Sequence, residues 1–234
     1  MLEEFKVPKH KIRIFLKDAE QYDKYILSCG EEYQYEITGQ SGILATRNYL
    51  QIYYHETSKL DGVLFIDDDI TAFLEMGKPL KEDQNFISLI EYFFIETRML
   101  KGRLWAVNAL NNPFYMSDSI STTLKYCIGA FKGLILDRTK DVILTDIDHF
   151  EDHLFSCEYF LEDGVVVRFN KYGISTKYFE LVGGICGQMG GMEARQAAMD
   201  LNGDYMVDRY PGMCSLKHKK FGTDLRLNFR YKVI

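Results

Sequence analysis

The sequence predicts an α/β protein with a mostly parallel central sheet in its N-terminal half and a mixed α/β C-terminal half. Two observations predict it. Segments with the patterns of strands and of helices alternate between residues 11 and 66, which is typical of right-handed βαβ units. Residues 63–66, VLFI, are a short and fully apolar run, as expected of a strand buried on both faces of a parallel sheet. Such sheets bind ligands at the carboxyl ends of their strands.

Two strand–helix pairs are predicted before this run. Residues 11–17 are rich in β-branched and aromatic side chains and predict a strand, and residues 18–29 have the apolar spacing of a helix. Residues 33–38 alternate in polarity as a strand does. A glycine turn at 39–42 then leads into a helix over residues 43–57.

The second half of the chain is mixed. Strands are predicted at residues 104–109, 127–136, 141–145 and 165–169. Helices are predicted at residues 83–100, 149–161 and 192–201, with a glycine-rich loop at 183–191.

The composition limits the classes of protein to which the chain can belong. No linker-like stretch divides the 234 residues, so we expect one domain. No apolar run approaches the ~18 residues of a membrane span, and we expect no secretory signal, because residues 1–15 lack a basic region followed by an apolar stretch. The five cysteines are odd in number, and no two have CxxC spacing. We therefore expect reduced thiols in a cytoplasmic protein that does not contact a membrane.

The charge of the chain is unevenly distributed. The formal net charge is −6, but residues 211–234 contain six Lys and Arg against one Asp. This basic tail carries +5, and the rest of the chain therefore carries −11. A basic tail on an acidic body indicates contact with phosphates.

Asp67, Asp68 and Asp69 follow the apolar run directly. Three adjacent carboxylates repel one another and lose hydration where they are buried, and a divalent cation is one way to stabilise them. Carboxylate oxygens suit Mg²⁺ or Mn²⁺, which bridge the phosphates of nucleotides. Asp67 and Asp69 would point the same way on an extended chain and are the candidate metal ligands, with Asp68 a candidate nucleotide contact. The alternative is an acidic loop in solvent.

Arg47 and Asn48 lie in the first turns of the helix that follows the glycine turn. Helix N-termini and arginine side chains both favour anionic ligands. The two residues are therefore candidates to bind the phosphates of a nucleotide, and the alternative for Arg47 is a surface side chain.

Residues 148–153, DHFEDH, open a predicted helix. Asp148 and Glu151 have the spacing of a capping box, which is a structural role for Glu151. Asp152 lies in the first turn, away from the apolar face, where the helix dipole favours a charged carboxylate. Asp152 is therefore the candidate general base for a hydroxyl nucleophile, with Glu151 as its catalytic neighbour. The alternative is that Asp152 only complements the dipole.

His218 lies among three lysines in the basic tail. Lys217 and Lys220 are candidates to hold a diphosphate, and Lys219, with Arg226, to hold a nucleic-acid backbone. His218 is a candidate metal ligand because imidazole binds Mn²⁺. A surface histidine is the alternative.

The order of these features resembles the glycosyltransferases of the GT-A fold, whose first half is Rossmann-like. There, an ARN-like helix start precedes an apolar strand that ends in D-x-D, and the motif binds the metal that holds the diphosphate of a nucleotide-sugar. A later Glu-Asp pair supplies the base, and a C-terminal histidine often completes the metal shell. The resemblance implies these roles for Asp67–Asp69, Glu151–Asp152 and His218. It also divides the domain into a nucleotide-sugar-binding half at 1–78, an acceptor-side half at 79–210 and the basic tail.

The second half is similar to a narrower group, the TET-associated glycosyltransferases of bacteriophage, which are linked to glycosylation of hydroxymethylated bases in DNA. Residues 105–116, 126–137 and 151–179 carry the similarity, which covers most of residues 11–225. It implies transfer from a nucleotide-sugar, with UDP as the expected nucleotide, to such a base, with inversion, in the host cytoplasm. Asp152 would accept the acceptor's proton, while Mn²⁺ or Mg²⁺ neutralises the leaving diphosphate.

The sequence is also compatible with three other functions. A GT-A enzyme with a sugar or protein acceptor fits the acidic body equally well. A nucleotide-binding protein could retain the fold without turnover. A metal-dependent nucleotidyltransferase would release pyrophosphate instead of a nucleoside diphosphate. The sequence does not predict the oligomeric state.

Overall fold

The N-terminal βαβ unit is confirmed. A computed structural model describes residues 1–81, 85–176, 192–219 and 222–233 of the chain. Strands β1 (Arg13–Leu16) and β2 (Gln34–Ile37) pair in parallel and are connected by helix α1 (Ala19–Cys29). Helix α2 (Ile43–Thr57) follows β2 and has the predicted bounds. These two strands form a small sheet of their own.

Seven further strands form the large sheet. They are β3 (Gly62–Ile66), β4 (Ile70–Glu75), β5 (Lys78–Pro79), β6 (Leu104–Asn108), β7 (Ile120–Ser121), β8 (Phe131–Ile135) and β9 (Val167–Thr176). Their order is β3-β8-β6-β9-β4-β5, and β7 also pairs with β9. Of the pairs that the structure describes in this sheet, only β6 with β9 is parallel.

The prediction of a mostly parallel central sheet is therefore wrong, although the protein is α/β. The apolar strand β3 pairs with β8, which returns from the second half of the chain and runs antiparallel to it. Strand β4 begins four residues after β3 ends, which leaves no room for the helical crossover that a parallel neighbour requires. The apolar run is explained by packing on both faces of β3, where Phe65 is buried and Val63, Leu64 and Ile66 are half-buried, and such packing does not depend on strand direction.

Helices cover both faces of the large sheet. Strand β6 is buried throughout, and its side chains alternate between two hydrophobic clusters: Leu104 and Ala106 belong to one, Trp105 and Val107 to the other. Helix α3 (Phe86–Met99) packs in the Trp105 cluster. Helices α2, α4 (Glu151–Asp163) and α5 (Met192–Arg209) contribute side chains to the Leu104 cluster. The described helices include none that is long and apolar enough to span a bilayer.

The basic tail forms a hairpin instead of a free extension. Strands β10 (Cys214–Lys219) and β11 (Gly222–Leu227) pair antiparallel and contact α5. Apolar side chains anchor this hairpin, because Cys214 and Leu225 are buried in the Leu104 cluster. The described part of the tail is thus held against α5, while the side chains of Lys217 and Arg226 are exposed.

Two further predictions concern residues 141–145 and 183–191. No strand forms at 141–145, because the backbone of Thr145 hydrogen-bonds to the side chain of Asn48 instead of to a neighbouring strand. The glycine-rich loop at 183–191 lies outside the described residues, as does Cys186. The other four cysteines form no disulfide with one another in the structure.

Candidate functional site

Five ionisable side chains from four distant segments meet near the carboxyl end of β3. We call them the charge cluster: Arg47 on α2, Asp67 after β3, Lys132 on β8, and Glu151 and Asp152 at the start of α4. The sequence predicted four of the five as candidate site residues. The fold brings them together because β3 and β8 are neighbours and α2 and α4 pack on the same face of the sheet.

Asp67 and Arg47 form an ion pair at the entrance to the cluster. The Asp67 amide donates to the Ala130 carbonyl at 2.9 Å, which extends the β3–β8 pairing by one residue and holds Asp67 beside β8. Its Oδ2 accepts a hydrogen bond from Arg47 Nη2 at 2.9 Å. Burial, and after it the charge of Asp152, raises the pKa of Asp67 against the opposing effect of Arg47. The Arg47 side chain is buried, so the alternative of a surface arginine is wrong.

Asp152 lies at the centre of the cluster. Its Oδ2 accepts a hydrogen bond from the Tyr126 hydroxyl at 3.2 Å, and its Oδ1 lies 3.9 Å from Lys132 Nζ. Only 14% of the Asp152 side chain is exposed. Gly129 makes room for this carboxyl group, because a Cβ at Gly129 would stand 2.1 Å from Asp152 Oδ1. The carboxylate is therefore held in place, with Oδ1 buried and only a small part of the side chain open to an acceptor hydroxyl.

Glu151 belongs to the cluster and does not cap α4. The residue before the helix is Phe150, which adopts a left-handed conformation with φ 66° and makes no side-chain capping bond. The capping-box interpretation of Asp148 and Glu151 is therefore wrong. Burial, followed by the charge of Asp152, raises the pKa of Glu151 to about 8. The raised pKa favours the neutral form of Glu151 at neutral pH, so Glu151 adds little negative charge beside Asp152.

Lys132 is the member that sequence reasoning missed. It is 2% exposed, and its Nζ lies 4.2 Å from the centroid of the Phe155 ring. Burial lowers its pKa more than Asp152 raises it, so desolvation outweighs the attraction between the two charges. The signal in the sequence was a single lysine within the apolar run at 127–136. A charged side chain in a buried strand requires a partner, and here the partner is Asp152.

The other two aspartates of the triplet differ from Asp67. Asp68 is exposed and accepts a hydrogen bond from the Tyr25 hydroxyl at 2.5 Å. Asp69 has a buried Oδ1 without a hydrogen-bond partner among the described residues. Burial, with the charges of Asp67 and Asp68, raises the pKa of Asp69. An orphaned carboxylate oxygen next to Asp67 is the kind of atom that a cation would satisfy.

Asn48 has a structural role. Its Nδ2 donates to the Thr145 carbonyl at 2.7 Å, and its Oδ1 accepts from the Thr145 amide at 2.9 Å. Both ends of the amide are thus used to hold the segment that leads into α4. The assignment of Asn48 to nucleotide binding stays a prediction.

The candidate residues of the basic tail lie on the β10–β11 hairpin. His218 Nδ1 is 3.2 Å from the Thr223 hydroxyl, and Lys217 and Arg226 are exposed. Lys219 ends β10, and Lys220 lies outside the described residues. No contact that the structure describes joins His218 to Asp67 or Asp69. Across the described residues, no three His, Cys, Asp or Glu side chains are grouped closely enough to hold a metal ion by themselves.

A cavity of about 330 Å³ lies at the opposite end of the sheet, where its lining includes Asp61 before β3 and Asp137 after β8. Arg103 also lines this cavity, but Asp163 and Glu162 already neutralise it. Its charge is therefore committed to the fold, and we do not assign the chemistry to this cavity.

The charge cluster combines a positive group beside an acidic loop with a reachable carboxylate, which are elements of both anion binding and proton transfer. Comparison of the chain with protein-family models, with curated proteins and with solved structures found no match. The assignment of a function to the charge cluster therefore rests on the chemistry of its own residues.

Proposed function

We propose that the chain is a GT-A-like glycosyltransferase that moves a sugar from a nucleotide-sugar to a hydroxyl acceptor at the charge cluster. One observation carries the proposal. Asp67, which was predicted to meet the donor's diphosphate, and Asp152, which was predicted to be the base, belong to one cluster although 84 intervening residues separate them. The electrostatic influence of Asp152 on Asp67 supports a shared site.

The donor's diphosphate would lie at the acidic loop. Asp69, through its unbonded Oδ1, and Asp67 are the residues that would hold Mg²⁺ or Mn²⁺. Two carboxylates fit such an ion, because Mg²⁺ in nucleotide sites takes one or two protein carboxylates and completes its shell with phosphates and water. When bound, the metal neutralises the charge that develops on the leaving diphosphate. Arg47 pairs with Asp67 and so reduces the net negative charge of the same loop, which weakens its repulsion of the diphosphate.

Asp152 would accept the proton of the acceptor hydroxyl. The Tyr126 hydrogen bond and the Gly129 backbone hold the carboxylate in position. Lys132 stabilises its charged form, and the neutral Glu151 adds no second negative charge. The acceptor oxygen would bond to the anomeric carbon while the bond from that carbon to the diphosphate oxygen breaks. The acceptor proton would pass to Asp152, the nucleoside diphosphate would leave, and the anomeric centre would be inverted.

The proposed acceptor is a hydroxymethylated base in DNA, in keeping with the resemblance to the TET-associated glycosyltransferases. The exposed Lys217 and Arg226 of the hairpin support it, because cations on a protein surface attract the phosphate backbone. A sugar or protein acceptor is the second candidate, and the acidic remainder of the chain favours it.

The test is a transfer assay with UDP-glucose, Mn²⁺ and hydroxymethylcytosine DNA, with a sugar and a protein panel as alternative acceptors. We expect release of UDP and glucosylated DNA. Asp152→Asn should lower the rate by about 10²–10⁴-fold, the usual contribution of a general base. The matched control is Asp148→Asn, which changes an exposed aspartate just before the same helix and should leave the rate unchanged.

The outcomes separate the candidates. Pyrophosphate release from a nucleoside triphosphate would indicate a nucleotidyltransferase. Binding of UDP without turnover would indicate a nucleotide-binding protein. Equal rates for Asp152→Asn and wild type would exclude the proposed base.

A further inference from the structure

Arg168 is a partly buried cation on the same face of the sheet as the charge cluster. Ala106 on β6 pairs with Lys132 on one side and with Arg168 on the other, so the three residues form one row across β8, β6 and β9. Neighbouring strands are about 4.8 Å apart, which places the backbones of Lys132 and Arg168 about 10 Å apart. Lys132 has Asp152 as its partner, whereas Arg168 forms no ion pair with any residue that the structure describes.

The guanidinium of Arg168 is held at one end only. Its Nε donates to Asn170 Oδ1 at 2.8 Å. Asn170 is fixed in turn, because its Nδ2 donates to Ser121 Oγ at 2.8 Å and to Ser119 Oγ at 3.2 Å. Within the described part of the chain, the two terminal nitrogens of Arg168 make no hydrogen bond. A guanidinium anchored through Nε keeps these two donors available for a ligand with two oxygens.

Lys125 is a second cation near Arg168, since Ser121, which pairs with Arg168 across β7 and β9, lies four residues before it. It is also partly buried, and burial together with the positive charge of Arg168 lowers its pKa. Its Nζ lies 4.8 Å from the Phe229 ring centroid, and no carboxylate of the described residues pairs with it. Two partly buried cations that repel each other destabilise the fold unless an anion joins them.

Other buried cations of the described chain have carboxylate partners. Arg47 pairs with Asp67, and Arg103 with Asp163. The pair of Lys125 and Arg168 departs from this pattern, although Ser119 and Ser121 place hydroxyl groups beside it.

We propose that Arg168 and Lys125 form a binding site for a phosphate group, separate from the acidic loop and independent of metal. The two positive charges match the charge of a phosphate monoester, which is about −1.5 to −2 at neutral pH. The two terminal guanidinium nitrogens of Arg168 bind two phosphate oxygens. The Lys125 ammonium group supplies a second positive charge, and the serine hydroxyls donate to a third oxygen. The site borders the charge cluster, since Tyr126, which follows Lys125, donates to Asp152. It does not depend on glycosyl transfer.

The experiment is calorimetric titration of the full chain with inorganic phosphate and, separately, with thymidine monophosphate, in chloride buffer with EDTA. We expect saturable binding, weakened at least about tenfold in both Arg168→Gln and Lys125→Gln, because each removes a charge-assisted contact. Arg98→Gln is the matched control, since Arg98 is exposed and lies at the far cavity. Equal affinities identify free phosphate as the ligand, and tighter binding of the nucleotide identifies a phosphate ester.

Thermal unfolding gives an independent readout. Without phosphate, Arg168→Gln should unfold at the same or a higher temperature than wild type, because it removes an uncompensated charge. Added phosphate should raise the unfolding temperature of wild type and not that of either variant. Absence of saturable binding to wild type, or wild-type affinity in both variants, would overturn the proposal. Lys125→Gln keeps the test decisive if Arg168→Gln does not fold.

Discussion

The Asp152 carboxyl group lies directly against the backbone of Gly129, so that a Cβ at Gly129 would stand 2.1 Å from Oδ1 and 2.8 Å from Cγ of Asp152. Neither distance is possible between non-bonded atoms. The glycine that precedes β8 by two residues therefore determines where the proposed base can lie. This close approach makes the position of Asp152 testable without removing its charge.

Gly129→Ala should displace the Asp152 carboxylate. A shift of about 1 Å at a reacting group lowers rates by about 10²-fold, and we expect a loss of this size in the transfer assay. Gly102→Ala is the control, because its Cβ would meet methyl groups of Val165, Val167 and Thr97, at 3.2, 3.3 and 3.7 Å, and no group of the charge cluster. Wild-type turnover in Gly129→Ala would show that the position of Asp152 is not critical.

Asp67→Asn should destabilise the protein by leaving the buried Arg47 without its partner. Removing one member of a buried ion pair costs about 3–5 kcal/mol, and because 35% of the Asp67 side chain is exposed we expect a smaller loss of about 1–3 kcal/mol. Arg47→Met combined with Asp67→Asn should recover part of this loss. Chemical denaturation of the two single variants and the double variant measures the coupling, and strictly additive losses would contradict a direct interaction.

Glu151→Gln should change how stability depends on pH. Burial and Asp152 raise the pKa of Glu151 from 4.5 to about 8, so the folded state binds more protons than the unfolded state between these values. The free energy of unfolding therefore falls as pH rises through this window. The glutamine variant lacks this loss. The difference in free energy of unfolding between the variant and the wild type should therefore grow towards pH 8, by up to about 1.4 kcal/mol per pH unit.

Urea denaturation at pH 5, 6, 7 and 8 measures this effect. Glu91→Gln, at an exposed site on α3, is the matched control. Its free energy of unfolding should change with pH as that of the wild type does. If Glu151→Gln has the slope of wild type as well, then Glu151 is ionised in the fold and cannot be the neutral neighbour of Asp152.

Asn48→Ala separates the structural role of Asn48 from its predicted role in nucleotide binding. The substitution leaves both the amide and the carbonyl of the buried Thr145 without their partner. Each unsatisfied group costs about 1–3 kcal/mol, so the unfolding temperature should fall clearly. Differential scanning calorimetry measures this loss, and UDP titration of the folded variant tests the nucleotide contact. A variant as stable as wild type would contradict the structural role.

Part of the site was visible in the sequence because its signals are local. One signal is the triplet of aspartates after an apolar strand, and another is the carboxylate in the first turn of a helix. At both positions a charged group next to buried structure loses hydration unless a partner compensates for it. Lys132 was overlooked because a lone lysine in a strand shows neither which face it occupies nor what lies across from it. The capping box failed for a related reason. The spacing of Asp148 and Glu151 suits a cap, but the left-handed backbone at Phe150 starts the helix two residues later than the box requires.

The sequence by itself determined the α/β class, the first βαβ unit and the chemistry available at Asp67 and Asp152, because side-chain periodicity and residue type are properties of short segments. Only the tertiary structure decided the direction of the strands around β3, the pairing of Lys132 with Asp152 and the isolation of Arg168 from any described carboxylate. The physical reason is that strand partners and buried ion pairs depend on contacts between segments far apart in the chain. Apolar burial constrains which residues are inside, but it leaves the direction and the neighbours of each strand open until the whole core is packed.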